Sequence, residues 1–240
     1  MSRQILFISD LHLDPSRPRI AELFLRFLQQ EQGRAEALYI LGDLYEAWIG
    51  DDAVPPDEPT LQALRAFSAT TPTYFINGNR DFLIGERFAE LTGVQLLPEA
   101  VVVDLFGVPT LLMHGDTLCT DDVKYQQFRQ MVRNPEWQRG FLALPIEQRL
   151  ALAKQARSES GEHNQSLDEY LLDANQRTVE EEMRRHGVRR LIHGHTHRPA
   201  IHEFELDGQR HTRIVLGDWY EQGSVLRLRP EGPDLQTLAP

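Results

Sequence analysis

The sequence predicts an α/β protein whose later strands form a mixed sheet, or two sheets packed face to face. Strand-length apolar runs alternate with helical periodicity up to Ile76, strand-like runs recur from Arg190 to Leu228, and the stretch from about Asp121 to Arg185 carries almost no strand signal. A length of 240 residues suits one large α/β domain, or one domain with an insertion.

Ile5 to Ser9 reads as a buried strand, and Arg19 to Gln32 places Leu23, Phe24, Phe27 and Leu28 at helical spacing. Ala37 to Leu41 is a second strand, Asp51 to Pro59 an acidic, proline-rich solvated loop, Thr60 to Ala69 a helix and Thr73 to Ile76 a third strand. This β-α-β-α-β order implies parallel strands with crossover helices. Val101 to Phe106 and Thr110 to Met113 flank Gly107-Val108-Pro109, which suggests a hairpin-like connection. Arg190 to His193, Ile201 to Leu206, Arg213 to Leu216 and Ser224 to Leu228 are late strands. The region 121–185 reads as a helical insertion over the site, with an ordinary run of packing helices as the alternative, broken near Asn134-Pro135, Pro145 and Ser160-Gly161, and with residues 1–120 and 186–240 as the core.

Composition excludes several classes. An apolar content of 41% rules out disorder, and the single cysteine, Cys119, rules out a disulfide scaffold and fits a reducing compartment. The N-terminus lacks a long apolar run, which argues against a signal peptide. The formal charge of −11 disfavours a general nucleic-acid binder, so no nucleic-acid partner is expected. An anionic substrate then requires positive charge concentrated locally, by metal ions or clustered Arg.

Five short motifs follow strand-like runs: Asp10-Leu11-His12, Gly42-Asp43, Gly78-Asn79-Arg80-Asp81, His114-Gly115-Asp116 and His193-Gly194-His195-Thr196-His197. Asp10, His12, Asp43, Asn79, His114, His195 and His197 offer oxygen and imidazole donors, a mixture that suits Mn, Fe or Zn. Seven ligands are too many for one tetrahedral ion and natural for two sharing a carboxylate. Each motif alone could be a turn or a structural residue; all five in this order could hardly be.

The set resembles the calcineurin-like metallophosphoesterases, whose pattern is D-x-H, G-D, G-N-[HR]-[DE], H and G-H-x-H. The resemblance implies a four-layer α/β-β-α sandwich with the helical insertion as a lid. Asp10, His12, Asp43 and His197 would bind one metal, and Asp43, Asn79, His114 and His195 the second. Within that superfamily the chain is similar nearly end to end to the pyrophosphatases of lipid A biosynthesis. The runs that carry this are Ile8 to Leu13, Ala37 to Asp43, Glu46-Ala47-Trp48-Ile49-Gly50-Asp51-Asp52, Gly78 to Leu83, Met113 to Thr120 and Leu191 to Ala200. The resemblance implies hydrolysis of UDP-2,3-diacylglucosamine to UMP and 2,3-diacylglucosamine 1-phosphate (lipid X), two Mn²⁺ per chain, and peripheral attachment to the anionic cytoplasmic face of the inner membrane, with no obligate protein partner. It also implies substrate contacts from Asn79, Arg80, Asp122, Ser160, Asn164 and His195. Leu167 stands where the family commonly has Lys, which puts that contact in doubt.

Arg80 bears on the chemistry directly. A guanidinium is a poor proton donor, and a phosphate-monoester leaving group needs little protonation at neutral pH. Arg80 therefore fits a clamp on phosphate oxygens during diphosphate hydrolysis, stabilising developing charge with His195, although a structural salt bridge would also account for it. His193 and Asp116 read as structural or as orienters of the ligating imidazoles, Asp116 the better candidate of the two. Arg129, Arg133, Arg139, Arg149, Lys154 and Arg157 face only Glu136 and Glu147 over 129–157, beside Trp137, Phe141, Leu142, Leu144, Ile146, Leu150 and Leu152. Positive charge with apolar side chains is what anionic headgroups and acyl chains require, though these residues could equally be the insertion's own core. The rival readings are a nucleotide phosphodiesterase with the same metal site, which would not need an apolar lid, and a scaffold that has lost catalysis, which should have lost ligands.

Overall fold

The computed structural model describes residues 3–166 and 173–239, and the side chains of all of these except 159–166. Strands β1 (Ile5–Ile8), β2 (Ala37–Ile40), β3 (Thr73–Ile76) and β4 (Gln95–Leu97) pair in parallel in that order. The antiparallel hairpin of β10 (Gly223–Arg229) and β11 (Gly232–Leu238) extends this first sheet beyond β1. The second sheet has β6 (Val108–Met113), β7 (Arg190–His193) and β9 (Gln209–Val215) parallel at its centre, flanked by antiparallel β5 (Ala100–Leu105) and β8 (Ala200–Leu206).

The two-residue period of the strands divides the apolar side chains between layers. Ile5 and Phe7 of β1 point between the sheets, where they meet Leu112 of β6 and Ile192 of β7. Leu6 and Ile8 point the other way, onto the crossover helices α1 (Pro18–Glu31), α2 (Pro59–Ser68) and α3 (Glu86–Thr92), which present Phe24, Leu64 and Phe88. On the far face of the second sheet, Leu111 and Leu191 pack against Val179 and Met183 of α7 (Gln176–His186). The expected four-layer α/β-β-α sandwich follows, with two separate sheets rather than one mixed sheet.

The segment expected as one insertion therefore has two parts. Helix α7 is the outer layer of the sandwich, while α4 (Val123–Val132), α5 (Pro135–Leu142) and α6 (Ile146–Ser166) lie toward the strand ends. Asn134 caps α5 by accepting the N–H of Glu136, with Pro135 at the first helical position, so that break stands where it was expected. Helix α6 begins after Pro145 but runs unbroken through Ser160-Gly161, since a lone glycine costs a helix only about 1 kcal/mol.

Other local expectations also change. Asp51 to Pro59 is not simply a solvated loop: Asp51 accepts the Trp48 indole N–H and the N–H groups of Gly85 and Phe88, capping α3, and Glu58 caps α2 through Leu61 N. The β5–β6 turn is Phe106-Gly107, both at positive φ, and Val108 and Pro109 belong to β6. Pro109 is tolerated because β7 pairs only from Thr110 onward. The short α3 and β4, and the edge strand β11 with its Pro233, carried too little apolar periodicity to be foreseen. Among the described residues no helix is long and apolar enough to cross a membrane.

Candidate metal centre

Five strand ends converge at one edge of the sandwich. The loops after β1 and β2 continue their ladder as Asp10 N donates to Gly42 O (3.0 Å) and His12 N to Asp43 O (2.9 Å), and the loops after β6 and β7 join as Gly194 N donates to His114 O (2.7 Å). Seven described non-glycine residues have positive φ; two sit in the hairpin turns at Phe106 and Asp207, and the other five are Asp10, His12, Asp43, His195 and His197. Five of the seven expected ligands are thus held in a backbone region that L-residues rarely adopt, a strain that persists where surrounding structure enforces it for function. Gly42 has no alternative, because a Cβ there would lie 2.6 Å from both His114 Nδ1 and the Gly78 Cα.

All seven expected ligands meet. His197 Nε2 lies 3.4 Å from Asp10 Oδ1 and 3.2 Å from His12 Nε2, and His12 Nε2 lies 3.8 Å from Asp43 Oδ2. The other oxygen of Asp43 lies 3.7 Å from His114 Nε2. Asn79 Oδ1 closes the set, 2.9 Å from His114 Nε2 and 2.8 Å from His195 Nδ1. Asp43 thus presents one oxygen to each half, as a bridging carboxylate would.

The donors fit divalent cations. Asp10 is fully buried, its Oδ2 accepts Ser9 Oγ and His195 N, and its Oδ1 has no hydrogen-bond partner among the described residues. Asp10, His12 and His197, and separately Asp10, Asp43 and His114, bring ligand atoms within 4.8 Å of one another. Burial opposes charge on His114, yet Asp43, Asp10 and Asp116 hold its pKa up at about 9, a field that would equally favour a metal cation. Burial and the charge on His114 push His195 down to about 4, so at neutral pH it is an uncharged donor.

Supporting residues fix these loops. Asp81 is fully buried and accepts N–H groups from Leu44 (2.7 Å), Gly78 (2.8 Å) and Asp43 (3.2 Å). Burial and the adjacent Asp43 carboxylate push Asp81 up to about 7. Glu46 Oε2 lies 3.2 Å from His12 Nδ1, an approach bent away from the ideal hydrogen-bond line. Tyr220 stacks on His12 with ring centroids 5.1 Å apart. Asp116 makes a different contact from the orienting one expected: it accepts Tyr125 Oη (2.9 Å) and Arg129 Nε (2.7 Å), tying α4 to the site. His193 is buried with Nδ1 against Gly194 O.

A cavity of about 460 Å³ opens beside the ligands under α4 to α6. Asn79, Arg80 and Asp122 line its polar end, and Trp48, Phe82, Phe128, Trp137, Phe141 and Leu152 contribute apolar wall. Arg80 makes no ion pair among the described residues, and its Nε is buried without a partner among them. Asp122 also caps α4 through Tyr125 N. Ser160 and Asn164 lie outside the residues whose side chains are described, and Leu167 lies outside the described residues altogether.

The family model for calcineurin-like phosphoesterases matches residues 3–199. The chain belongs to the calcineurin-like phosphoesterase family. It is 53% identical, over 98% of each chain, to a protein of Stenotrophomonas maltophilia (strain K279a) named UDP-2,3-diacylglucosamine hydrolase. It is 51% identical, again over 98% of each, to a protein of the same name from Xanthomonas axonopodis pv. citri (strain 306). Among solved structures, an archaeal phosphodiesterase shares the fold, with a TM-score of 0.50 and 14% identity over 98% of this chain and 99% of that one.

Glu46, Asp81 and Tyr220 are among the residues of the calcineurin-like phosphoesterase site to which the sequence alone gave no role. Glu46 and Asp81 stand inside runs that were already conspicuous as motifs, so their positions were marked even though their contacts were not. Tyr220 lies in a late loop outside every motif, and only the fold brings it to His12.

The lid's basic residues also need revision. Arg149 is buried against Asp52 and Ile49 O, Arg129 and Arg133 pair with Glu99, and Arg157 pairs with Glu46. Much of the local positive charge thus fastens the lid to the acidic core. The apolar set divides: Trp137, Phe141 and Leu152 line the cavity, Leu144 packs on the core, and Leu142, Ile146 and Leu150 are exposed.

Proposed function

We propose that the protein hydrolyses the diphosphate of UDP-2,3-diacylglucosamine at the α-phosphate, releasing UMP and 2,3-diacylglucosamine 1-phosphate. The observation that carries this reading is the cavity: Arg80, with no ion pair among the described residues, and the candidate metal ligand Asn79 stand at its polar end, and an apolar wall suited to acyl chains leads away from them. The end-to-end likeness to proteins named for this substrate supports it.

Two Mn²⁺ ions are the cofactors we assign; Asp10, His12, Asp43 and His197 would hold one, and Asp43, Asn79, His114 and His195 the other, and the thiolate-free N/O donor set supports this. Such ions supply charge for phosphoryl oxygens and lower the pKa of water to near neutrality. The chain's own groups do the remainder. Arg80 grips phosphate oxygens through its guanidinium, and His195 stays uncharged beside Asn79. Asp43 and His114 are held against loop movement by Asp81 and by Leu41 O, which takes the N–H of His114 Nδ1 at 2.7 Å. The departing phosphate monoester has a second pKa near ~6 and leaves without a strong acid.

Peripheral attachment to the anionic cytoplasmic face of the inner membrane belongs to the same proposal, supported by exposed Phe128, Met131, Leu142, Ile146 and Leu150 on the lid. The test incubates Mn²⁺-loaded protein with UDP-2,3-diacylglucosamine in detergent micelles and follows UMP and lipid X, with UDP-glucose and His114→Ala alongside. Rapid release from the acylated substrate, weak with UDP-glucose and lost in His114→Ala, is the expected result. Turnover of simple phosphodiesters without release from the acylated substrate would overturn the lipid assignment.

A further inference from the structure

We propose that Glu46 is a positioning residue that ties the seating of the lid to the readiness of the metal ligand His12. Glu46 is almost buried, at 8% exposure, and both carboxylate oxygens are engaged. Oε2 lies 3.2 Å from His12 Nδ1, off the ideal hydrogen-bond line, and 3.3 Å from Arg17 Nη2, and Arg17 also donates to the His12 carbonyl. Oε1 lies 3.1 Å from Arg157 Nη2 on α6. One side chain therefore touches a ligand of the metal centre with one oxygen and the lid helix with the other.

The chemistry of imidazole gives this contact a consequence. A cation bound through Nε2 of His12 requires the ring proton on Nδ1, and an acceptor beside Nδ1 both selects that tautomer and fixes the ring plane. His12 needs the help, since its backbone sits at φ +50° and its Nε2 faces the Nε2 of His197 at 3.2 Å.

The lid contact determines where that acceptor sits. Glu has three side-chain torsions, and a carboxylate gripped at one oxygen cannot swing its other oxygen away. Arg157 supplies that grip. Arg149, a little over two helical turns earlier, anchors the same helix to Ile49 O and Asp52, so residues 46–52 form the seat of α6 and Arg157 is its second fastening. With the lid seated, Glu46 is held toward His12; with the lid raised, Oε1 loses its partner and the carboxylate is free to turn.

This inference rests on the metal-site reading and not on the identity of the lipid substrate. The test titrates Mn²⁺ into the metal-free full chain without substrate, following free Mn²⁺ by electron paramagnetic resonance, for wild type, Glu46→Gln, Arg157→Gln and the double variant. Glu46→Gln should weaken binding by about 10- to 100-fold, the range for outer residues that orient a ligating His. Arg157→Gln, at a partly exposed position, should weaken it by a smaller factor of about 3 to 10. The double variant should match Glu46→Gln within about twofold, because the second change acts only through the first. Backbone hydrogen exchange over α6 should quicken in Arg157→Gln. Wild-type affinity in Glu46→Gln overturns the positioning role. Wild-type affinity in Arg157→Gln, effects that simply multiply, or unchanged exchange in α6 overturn the coupling. A wild-type protein that takes up no Mn²⁺ overturns the metal reading and this inference together.

Discussion

Arg149 and Asp52 form a two-pronged pair: Nη1 donates to Oδ1 at 2.8 Å and Nη2 meets Oδ2, while a further Nη1 bond reaches Ile49 O. Arg149 is only 2% exposed although it stands on a helix that covers the site. The planar guanidinium is matched to carboxylate geometry in a way that lysine is not.

Replacing Arg149 with Met removes this clasp and leaves Ile49 O without its donor. Charge-assisted bonds of this kind contribute about 1.5–3 kcal/mol. The expected outcome is a loss of about that size in urea denaturation, with faster hydrogen exchange in α6. Stability equal to wild type would show that the clasp contributes nothing.

Asp116 gives the stability a defined acid dependence. Burial opposes its charge, but His114, Arg129 and His195 outweigh that and hold its carboxyl well below the usual carboxylate range. A carboxylate depressed on folding contributes stability that is complete above its unfolded pKa, near ~3.9, and is lost as pH falls toward the folded value. Asp116→Asn should therefore be less stable than wild type at pH 7, with the gap narrowing below about pH 4. Denaturation curves at pH 7, 5, 4 and 3 check this; a gap constant across that range would contradict it.

His114→Ala removes the ring that joins Asn79 to Asp43. Bound Mn²⁺ should fall from about two ions to about one per chain, and turnover should fall by more than the ~10–100-fold that outer residues typically cost. Metal analysis of the variant decides the first point and initial rates the second. Treatment of the wild type with a chelator should abolish turnover, and added Mn²⁺ should restore it.

The sequence made the layers legible because period-two and helical apolar patterns are properties of individual segments: Ile5 and Phe7 against Leu6 and Ile8 already state that β1 is covered on both faces. The ligands were legible for a related reason, since each follows a strand within a few residues. What the sequence could not state were contacts made across long separations. Glu46 and Arg157 are 111 positions apart, and nothing local to either residue announces the pair. The basic stretch of the lid was misread in part for the same cause: Arg149 looked available to an anionic surface because its partner, Asp52, lay in what read as a solvated loop.

The cavity wall yields a prediction that separates acyl recognition from catalysis. Leu152 lines the cavity yet is 46% exposed, so a charged side chain there can reach water and should not unfold α6. Leu152→Glu places a carboxylate where the proposed substrate lays apolar chains. Moving a few methylenes off apolar wall costs about 0.8 kcal/mol each, so KM for the acylated substrate should rise by roughly 10-fold or more, with kcat less affected. Mn²⁺ affinity and the slow hydrolysis of a small diphosphate such as UDP-glucose should stay at wild-type levels, because neither touches this wall. Equal losses on the acylated and the small substrate would place Leu152 in general support of the site and remove the cavity from acyl recognition.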